Sequence, residues 1–213
     1  TVESFQVSTG KWLQRIRLDE ARQPRCLALA PDGMYVSNYT DNSISRFDPV
    51  TFTILTERIP VGPAVEGIAY SRGFIFAANS GLGSLQIDSP NAGTLSVIRM
   101  GTGVEEKKLQ AAPNITELLV SPDGSKLYAV SHEVAGRPDL VPVLIEYNVA
   151  SLAEIRRWSA PAIISPCLSS GGDSLFFISK NGVEVLDLQL DGAQPRLVVT
   201  KDRMDDNWYS LAL

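Results

Sequence analysis

Apolar residues in this chain fall into short runs broken by tight polar reversals, and the same phrase returns four times. An apolar strand meets a turn of Pro-Asp-Gly type, a second strand returns, and a loop, a third strand ending near an acid and a fourth strand follow. Cys26-Leu27-Ala28-Leu29-Ala30 reverses at Pro31-Asp32-Gly33 and returns as Met34-Tyr35-Val36-Ser37-Asn38. Gly67-Ile68-Ala69-Tyr70-Ser71 reverses at Arg72-Gly73 and returns over 74–79. Leu118-Leu119-Val120-Ser121 reverses at Pro122-Asp123-Gly124 and returns over 127–131. Cys167-Leu168-Ser169-Ser170 reverses at Gly171-Gly172-Asp173 and returns over 175–179.

Third strands are expected at 44–48, 84–88, 143–148 and 183–188, and fourth strands at 52–59, 94–99, 154–158 and 196–199. The units open near Pro24, Pro63, Pro113 and Pro161, a period of roughly 40 to 50 residues that suits four short strands per repeat. Proline presets φ and Asp-Gly closes tight reversals, so the turn chemistry agrees. The best helical candidate, 107–112, amounts to one turn. The pattern predicts an all-β chain of four-stranded antiparallel sheets with units at about 24–62, 63–112, 113–160 and 161–202. The ends read as partial units, 1–18 as a third and fourth strand and 207–213 as a first strand. Leu27, Ala28, Leu29 and Ala30 make the first strand apolar on both faces, which requires cover on both sides. Stacking each sheet on its neighbours supplies that cover.

Ser121-Pro122-Asp123-Gly124-Ser125-Lys126-Leu127-Tyr128 resembles the repeat core of the YVTN-type β-propellers. So do Pro31-Asp32-Gly33-Met34-Tyr35-Val36-Ser37-Asn38 with Asn42-Ser43-Ile44-Ser45-Arg46-Phe47-Asp48, and the linker Ile59-Pro60-Val61-Gly62 before Gly67-Ile68-Ala69. NHL and WD-repeat propellers share the outline, although the WD signature itself is missing. The resemblance implies a β-propeller domain of four full and two partial blades. Such propellers close with six to eight blades, so the expectation is a part of a larger propeller, the alternative being that the two ends meet in a hybrid fifth blade without its second strand.

Composition narrows the function classes. Apolar residues make up 44% of 213 and charged residues 20%, enough for a sizeable core. A net charge of -5 argues against a nucleic-acid partner, which calls for a basic face. No run approaches the ~18 apolar residues of a membrane helix. Cys26 and Cys167 lie far apart without metal-ligand spacing, and they read as free thiols inside apolar runs. A chain opening on Thr1 is what a trimmed or mature product looks like, which says little about compartment; the expectation leans extracytoplasmic, whether periplasmic, secreted or cell surface.

In such a sheet, the loops before strand one and after strand two share one end, and the other two turns share the opposite end. Turns at the second end are short. The first end holds the expected long loops 19–23, 101–112, 132–142 and 201–207, carrying Lys107, Lys108, His132, Arg137, Asp205 and Asp206. Loops on a rigid scaffold are where function concentrates, so this is the expected working surface. First strands also open there, with Arg25, Glu66 and either Thr116 or Glu117 at the channel mouth. Catalytic signals are thin: His132 is the only histidine and no nucleophile-elbow sequence occurs. No metal site and no cofactor is predicted. The leading expectation is a non-catalytic scaffold that binds a protein, or a small ligand, through the long-loop face. A propeller enzyme is the second reading, a metal-assisted lactonase or quinone-dependent dehydrogenase using Arg25, Glu66 and Glu117. A structural module of a large surface or extracellular assembly is the third.

Overall fold

A computed structural model describes the chain at all residues except 19–21, 83–87, 89–91, 160–161 and 201–213. All regular structure among the described residues is β-strand, as the periodicity predicts. A two-stranded sheet, β1 (Val2–Phe5) with β2 (Trp12–Ile16), comes first. Four four-stranded sheets follow, each antiparallel with its strands paired in chain order. The first holds β3 (Pro24–Ala30), β4 (Gly33–Asn38), β5 (Ser43–Phe47) and β6 (Ile54–Pro60). The second holds β7 (Val65–Ser71), β8 (Phe74–Asn79), β9 (Thr94–Arg99) and β10 (Val104–Gln110). The third holds β11 (Ile115–Val120), β12 (Lys126–Ser131), β13 (Val143–Asn148) and β14 (Ala153–Ser159). The fourth holds β15 (Ile164–Leu168), β16 (Ser174–Ser179), β17 (Gly182–Asp187) and β18 (Arg196–Thr200). The chain divides into two compact units, Thr1–Leu118 and Leu119–Leu213.

In unit 1 the first two sheets bury a common core. Ala28, Ala30, Tyr35, Ile44 and Ile59 of one sheet meet Val65, Ile68, Ile75, Ala77 and Ile98 of the other. The innermost strand β7 is covered on both faces, as its apolar sequence requires. Its second face lies so close to β11 that a Cβ on Gly67 would stand 2.4 Å from the Thr116 carbonyl oxygen. The expectation of two-sided cover fails at β3. The β1–β2 sheet packs Val2 and Ile16 on Val36 and Phe47 but does not reach the inner strand. Leu27 and Leu29 therefore remain 46% and 64% exposed.

The second sheet corrects the predicted strand boundaries. The third strand expected at 84–88 lies almost wholly outside the described residues; Asp88 falls in a turn. The third strand is β9 and the fourth is β10, so the predicted fourth strand is in fact the third. The segment 101–112, expected as a long loop with a helical turn, is largely β10. Its paired charges Glu105, Glu106, Lys107 and Lys108 lack apolar alternation, yet the strand forms by antiparallel pairing with β9. A polar device confirms the equivalence of β9 and β5. Asn38, at the end of β4, donates to Ser43 and Ser45 of β5 at 3.2 and 2.9 Å. Asn79, at the end of β8, donates to Thr94 and Ser96 of β9 at 3.0 Å each. All six are buried, and each pair ties a second strand to its third.

Unit 2 joins its sheets through an apolar core of Tyr128, Val130, Leu144 and Trp158 against Ile163, Leu175, Phe177 and Leu186. A buried ion cluster accompanies it. The Glu146 carboxylate, 0% exposed, meets Lys126 Nζ at 2.8 Å and Arg156 NH2 at 2.8 Å. Arg156 also donates to the Leu188 carbonyl at 2.5 Å and pairs with Asp191 at 3.1 Å. The cluster thus fastens the turn after β17 to the third sheet. Burial, and then the neighbouring Glu146, push the Tyr128 hydroxyl well above the ordinary tyrosine range.

Two stability tests follow from these contacts. Gly67→Ala forces backbone against backbone and lowers stability in urea unfolding by about 1–3 kcal/mol. Gly171→Ala, whose added carbon meets only a side chain at 3.7 Å, serves as the tolerant comparison. Glu146→Gln leaves two cations facing a neutral amide in a closed site and costs about 3–5 kcal/mol by the same measurement.

Candidate functional site

Each inner strand of unit 1 opens on a left-handed residue: Gln23 at φ 43°, Ala64 at 53° and Asn114 at 56°. The pairing register then slips between Pro24 and Leu27 in β3 and between Val65 and Ile68 in β7. These are bulges, which re-aim side chains at the ends of strands. The bulged positions carry Arg25 and Glu66, two of the residues expected at the channel mouth. Ser37 stitches the bulges together: its Oγ accepts the Cys26 N–H at 3.0 Å and donates to the Glu66 carbonyl at 2.5 Å.

The side chains converge. Arg25 Nε lies 3.8 Å from Glu66 Oε2, and its guanidinium stacks 4.5 Å over the Tyr39 ring. Glu117 is half-buried on β11, its Cα 3.3 Å from where a Cβ on Gly67 would sit. The arrangement offers an ion pair on an aromatic platform, chemistry suited to holding a polar ligand. Among the described residues, no cluster of three or more His, Cys, Asp or Glu is placed to hold a metal ion.

The remaining predicted residues separate. Lys107 and Lys108 belong to the outer strand β10 rather than to a loop, and Lys108 pairs with Glu105 at 3.6 Å. His132 and Arg137 do lie in a long loop, 132–142 of unit 2. Its base is pinned by the Val143 N–H donating to Ser131 Oγ at 2.8 Å. Two internal turns shape it, Arg137 N–H to the Val134 carbonyl at 2.9 Å and Leu140 N–H to the Arg137 carbonyl at 3.0 Å. Residues of the loop enclose a hollow of about 690 Å³. Arg137 grips Asp139 with Nε at 3.0 Å and NH2 at 2.9 Å, and this hydrogen bonding holds the Asp139 carboxyl below its usual range. Asp205 and Asp206 lie outside the described residues.

The sequence pattern did not mark Tyr39 or Ser37 as site residues, and it did not place β9 at 94–99 as the third strand of the second sheet. The signal was present: Asn followed by hydroxyl-x-hydroxyl marks β4–β5 and reappears at Asn79, Thr94 and Ser96. Asn38-Tyr39-Thr40 and Asn114-Ile115-Thr116 fit the N-glycosylation triplet, but both asparagines are buried, 0% and 4% exposed. Both cysteines are free and half-buried. Trp158 packs between sheets, whereas Trp12 is 48% exposed.

No protein-family model and no curated protein matches the sequence. Solved structures do. Hydrazine synthase of Kuenenia stuttgartiensis superposes with a TM-score of 0.65 at 16% identity, over 81% of this chain and 48% of its own. A Bacteroides uniformis protein named as a candidate 6-phosphogluconolactonase gives 0.65 at 14% identity, over 91% and 62%. Hsv2 of Kluyveromyces lactis gives 0.58 at 19% identity, over 86% and 54%. The fold is a β-propeller. Each four-stranded sheet is a blade, and the chain spans about half to five-eighths of the length of these propellers. They differ in function from one another, so the likeness is one of architecture.

The Arg137–Asp139 grip is testable by pH titration followed by carboxyl carbon NMR. Asp139 titrates below the ordinary aspartate range, and in Arg137→Gln its midpoint rises toward that range. A folded-state pKa below the unfolded one adds stability above the unfolded value and loses it as pH falls through the folded value.

Proposed function

We propose that this chain is a non-catalytic propeller scaffold that captures a protein partner through the loop 132–142. One observation carries the reading. The loop stands off the strand ends of the third blade with Val141 57% exposed beside the Arg137–Asp139 pair, around its own hollow. An exposed apolar residue flanked by a polar rim is the composition of a small interaction patch. The pinned base at Ser131 and Val143 presents it with little ordering cost on binding. A single propeller domain comprising both units, with blades near the boundaries read from the sequence, is the organisation this reading assumes. An extracellular or periplasmic setting accords with it.

The second reading is a ligand or substrate site at Arg25, Glu66 and Glu117, favoured by the stack of Arg25 on Tyr39. The Hsv2 and hydrazine synthase folds illustrate that the architecture accommodates either use.

Capture from an extract of the source cells, quantified by mass spectrometry, separates the readings. Arg137→Glu reverses the charge on the loop and lowers recovery of the specific partner about tenfold, ~1.4 kcal/mol. Lys107→Glu, on the outer strand, leaves recovery unchanged, as does Arg25→Ala. All three variants keep the melting temperature of the parent within a few degrees, as surface substitutions do. Equal recovery by Arg137→Glu removes the loop from the interface, and loss confined to Arg25→Ala moves the site to the inner strands.

A further inference from the structure

The two units treat one equivalent position differently. In each blade, the second residue of the third strand pairs with an apolar anchor on the fourth. Ile44 pairs with Ile59 in the first blade, and Leu144 with Trp158 in the third. Both anchors point into the core shared with the following blade, where Ile59 is 2% and Trp158 7% exposed. The turn between strands three and four of that following blade passes over the anchor. It begins at the same place in both units. Met100 N–H donates to the Gly73 carbonyl at 2.9 Å and Leu188 N–H to the Asp173 carbonyl at 2.8 Å.

From there the turns diverge. In unit 1 the turn is 100–103 and seats directly on the anchor, so that a Cβ on Gly103 would lie 3.6 Å from Ile59 Cδ1. In unit 2 the turn is 188–195, twice as long, and it arches away. Beneath it remains a cavity of about 340 Å³ whose floor is Trp158, Ile163, Phe177 and Leu186. The arch is held by Arg156 at Leu188 and Asp191 and by Ala193 resting on the core, and its own internal bonds are long. Ala193 N–H reaches the Leu190 carbonyl at 3.3 Å, and Gln194 Nε2 reaches the Gly192 carbonyl at 3.4 Å. A Cβ on Gly192 would meet nothing within 4 Å. A lengthened turn therefore converts a packed contact into an aromatic-floored chamber, on the kind of segment where propellers and other rigid scaffolds place binding groups.

The lining states the chemistry of the occupant. All four floor residues are apolar, two are aromatic, and each is at most 7% exposed. The cations nearby are engaged: Arg156 lies 5.0 Å over the Trp158 ring and Arg157 grips Glu154 at 3.0 and 2.9 Å. Polar groups stand at the rim, the Ser159 hydroxyl and the Gln194 amide. We infer that this chamber is a binding site for a small, neutral, planar aromatic molecule carrying one hydrogen-bonding group. Its size matches the lower range of ligand pockets, room for roughly ten to fifteen non-hydrogen atoms, and flat rings offset against Trp and Phe are favoured over aliphatic chains.

Indole and hexanoate serve as probes, read by saturation-transfer NMR on the whole chain and by tryptophan fluorescence. Indole binds in the micromolar to millimolar range and hexanoate binds at least about tenfold more weakly. Ala193→Leu fills the chamber from above and weakens indole at least about tenfold with the fold intact. Gln194→Trp, at an exposed rim position, closes the mouth and does the same, which keeps the test decisive if the first variant fails to fold. Absence of indole binding to the parent, equal binding to a folded variant, or preference for hexanoate each overturns the inference.

Discussion

The structure rests on faces that a single sheet cannot cover. A four-stranded blade in this chain is apolar on both sides near its inner strand, and water is excluded only where another blade lies against it. Tyr35, Ile44 and Ile59 reach from one blade to Val65, Ile68 and Ile75 on the next. Ala28 and Ala30, being small, let the inner strands approach, and Gly67 carries the approach to backbone contact with Thr116. The same constraint explains Leu27 and Leu29: where the adjoining sheet lacks inner strands, identical chemistry is left facing solvent. Cover between blades also holds strand ends rigidly in place while leaving the connections at those ends unconstrained. Segments such as 132–142 and 188–195 can therefore change length without disturbing the core.

Burying polar groups in such a stack demands partners, and the two units meet the demand differently. Unit 1 uses amides and hydroxyls, Asn38 with Ser43 and Ser45, and Asn79 with Thr94 and Ser96. Arg22 adds a buried guanidinium, which donates to Ser45 Oγ at 3.3 Å and to the Glu57 carbonyl at 2.8 Å. Unit 2 encloses a full charge at Glu146 and neutralises it with two cations. A buried ion pair adds little net stability over an apolar replacement, but losing one member is costly. Here it fixes position: Arg156 connects Glu146 to Leu188 and Asp191, so the long turn over the Trp158 chamber is anchored at its start and in its middle.

Much of this was legible in the chain itself. The Pro-Asp-Gly reversals and double-sided apolar runs located β3, β4, β11, β12, β15 and β16 to within a few residues, because turn chemistry and strand length are local properties. The second blade misled because Ser-Leu-Gln-Ile-Asp at 84–88 copies the third-strand phrase, while the true fourth strand is a run of charges. Its strand character comes from pairing with β9, a tertiary cause that no local pattern records. At the site, Arg25 and Glu66 were legible from their repeat position, but the stack on Tyr39 was not. It depends on a bulge, and a bulge has no residue code. The chamber beneath 188–195 was equally hidden, since an additional stretch of turn reads as tolerated surface until its height above Trp158 is known.

The left-handed residues at the openings of the inner strands connect these threads. Gln23, Ala64 and Asn114 directly precede their strands in unit 1, Ser165, at 49°, is the second residue of β15 in unit 2, and the four have no side-chain chemistry in common. Only the asparagine has a marked preference for that conformation. Each of the others costs about 1–3 kcal/mol. Recurrence across unlike residues means that the backbone path is imposed by the stack and not chosen by the residue. An inner strand squeezed between neighbours must enter steeply, and the bulge that follows takes up the additional residue. The strain is thus a product of the same blade cover that stabilises the core. Its consequence is geometric: in unit 1 it turns Arg25 and Glu66 toward each other on strands too tightly held to relax.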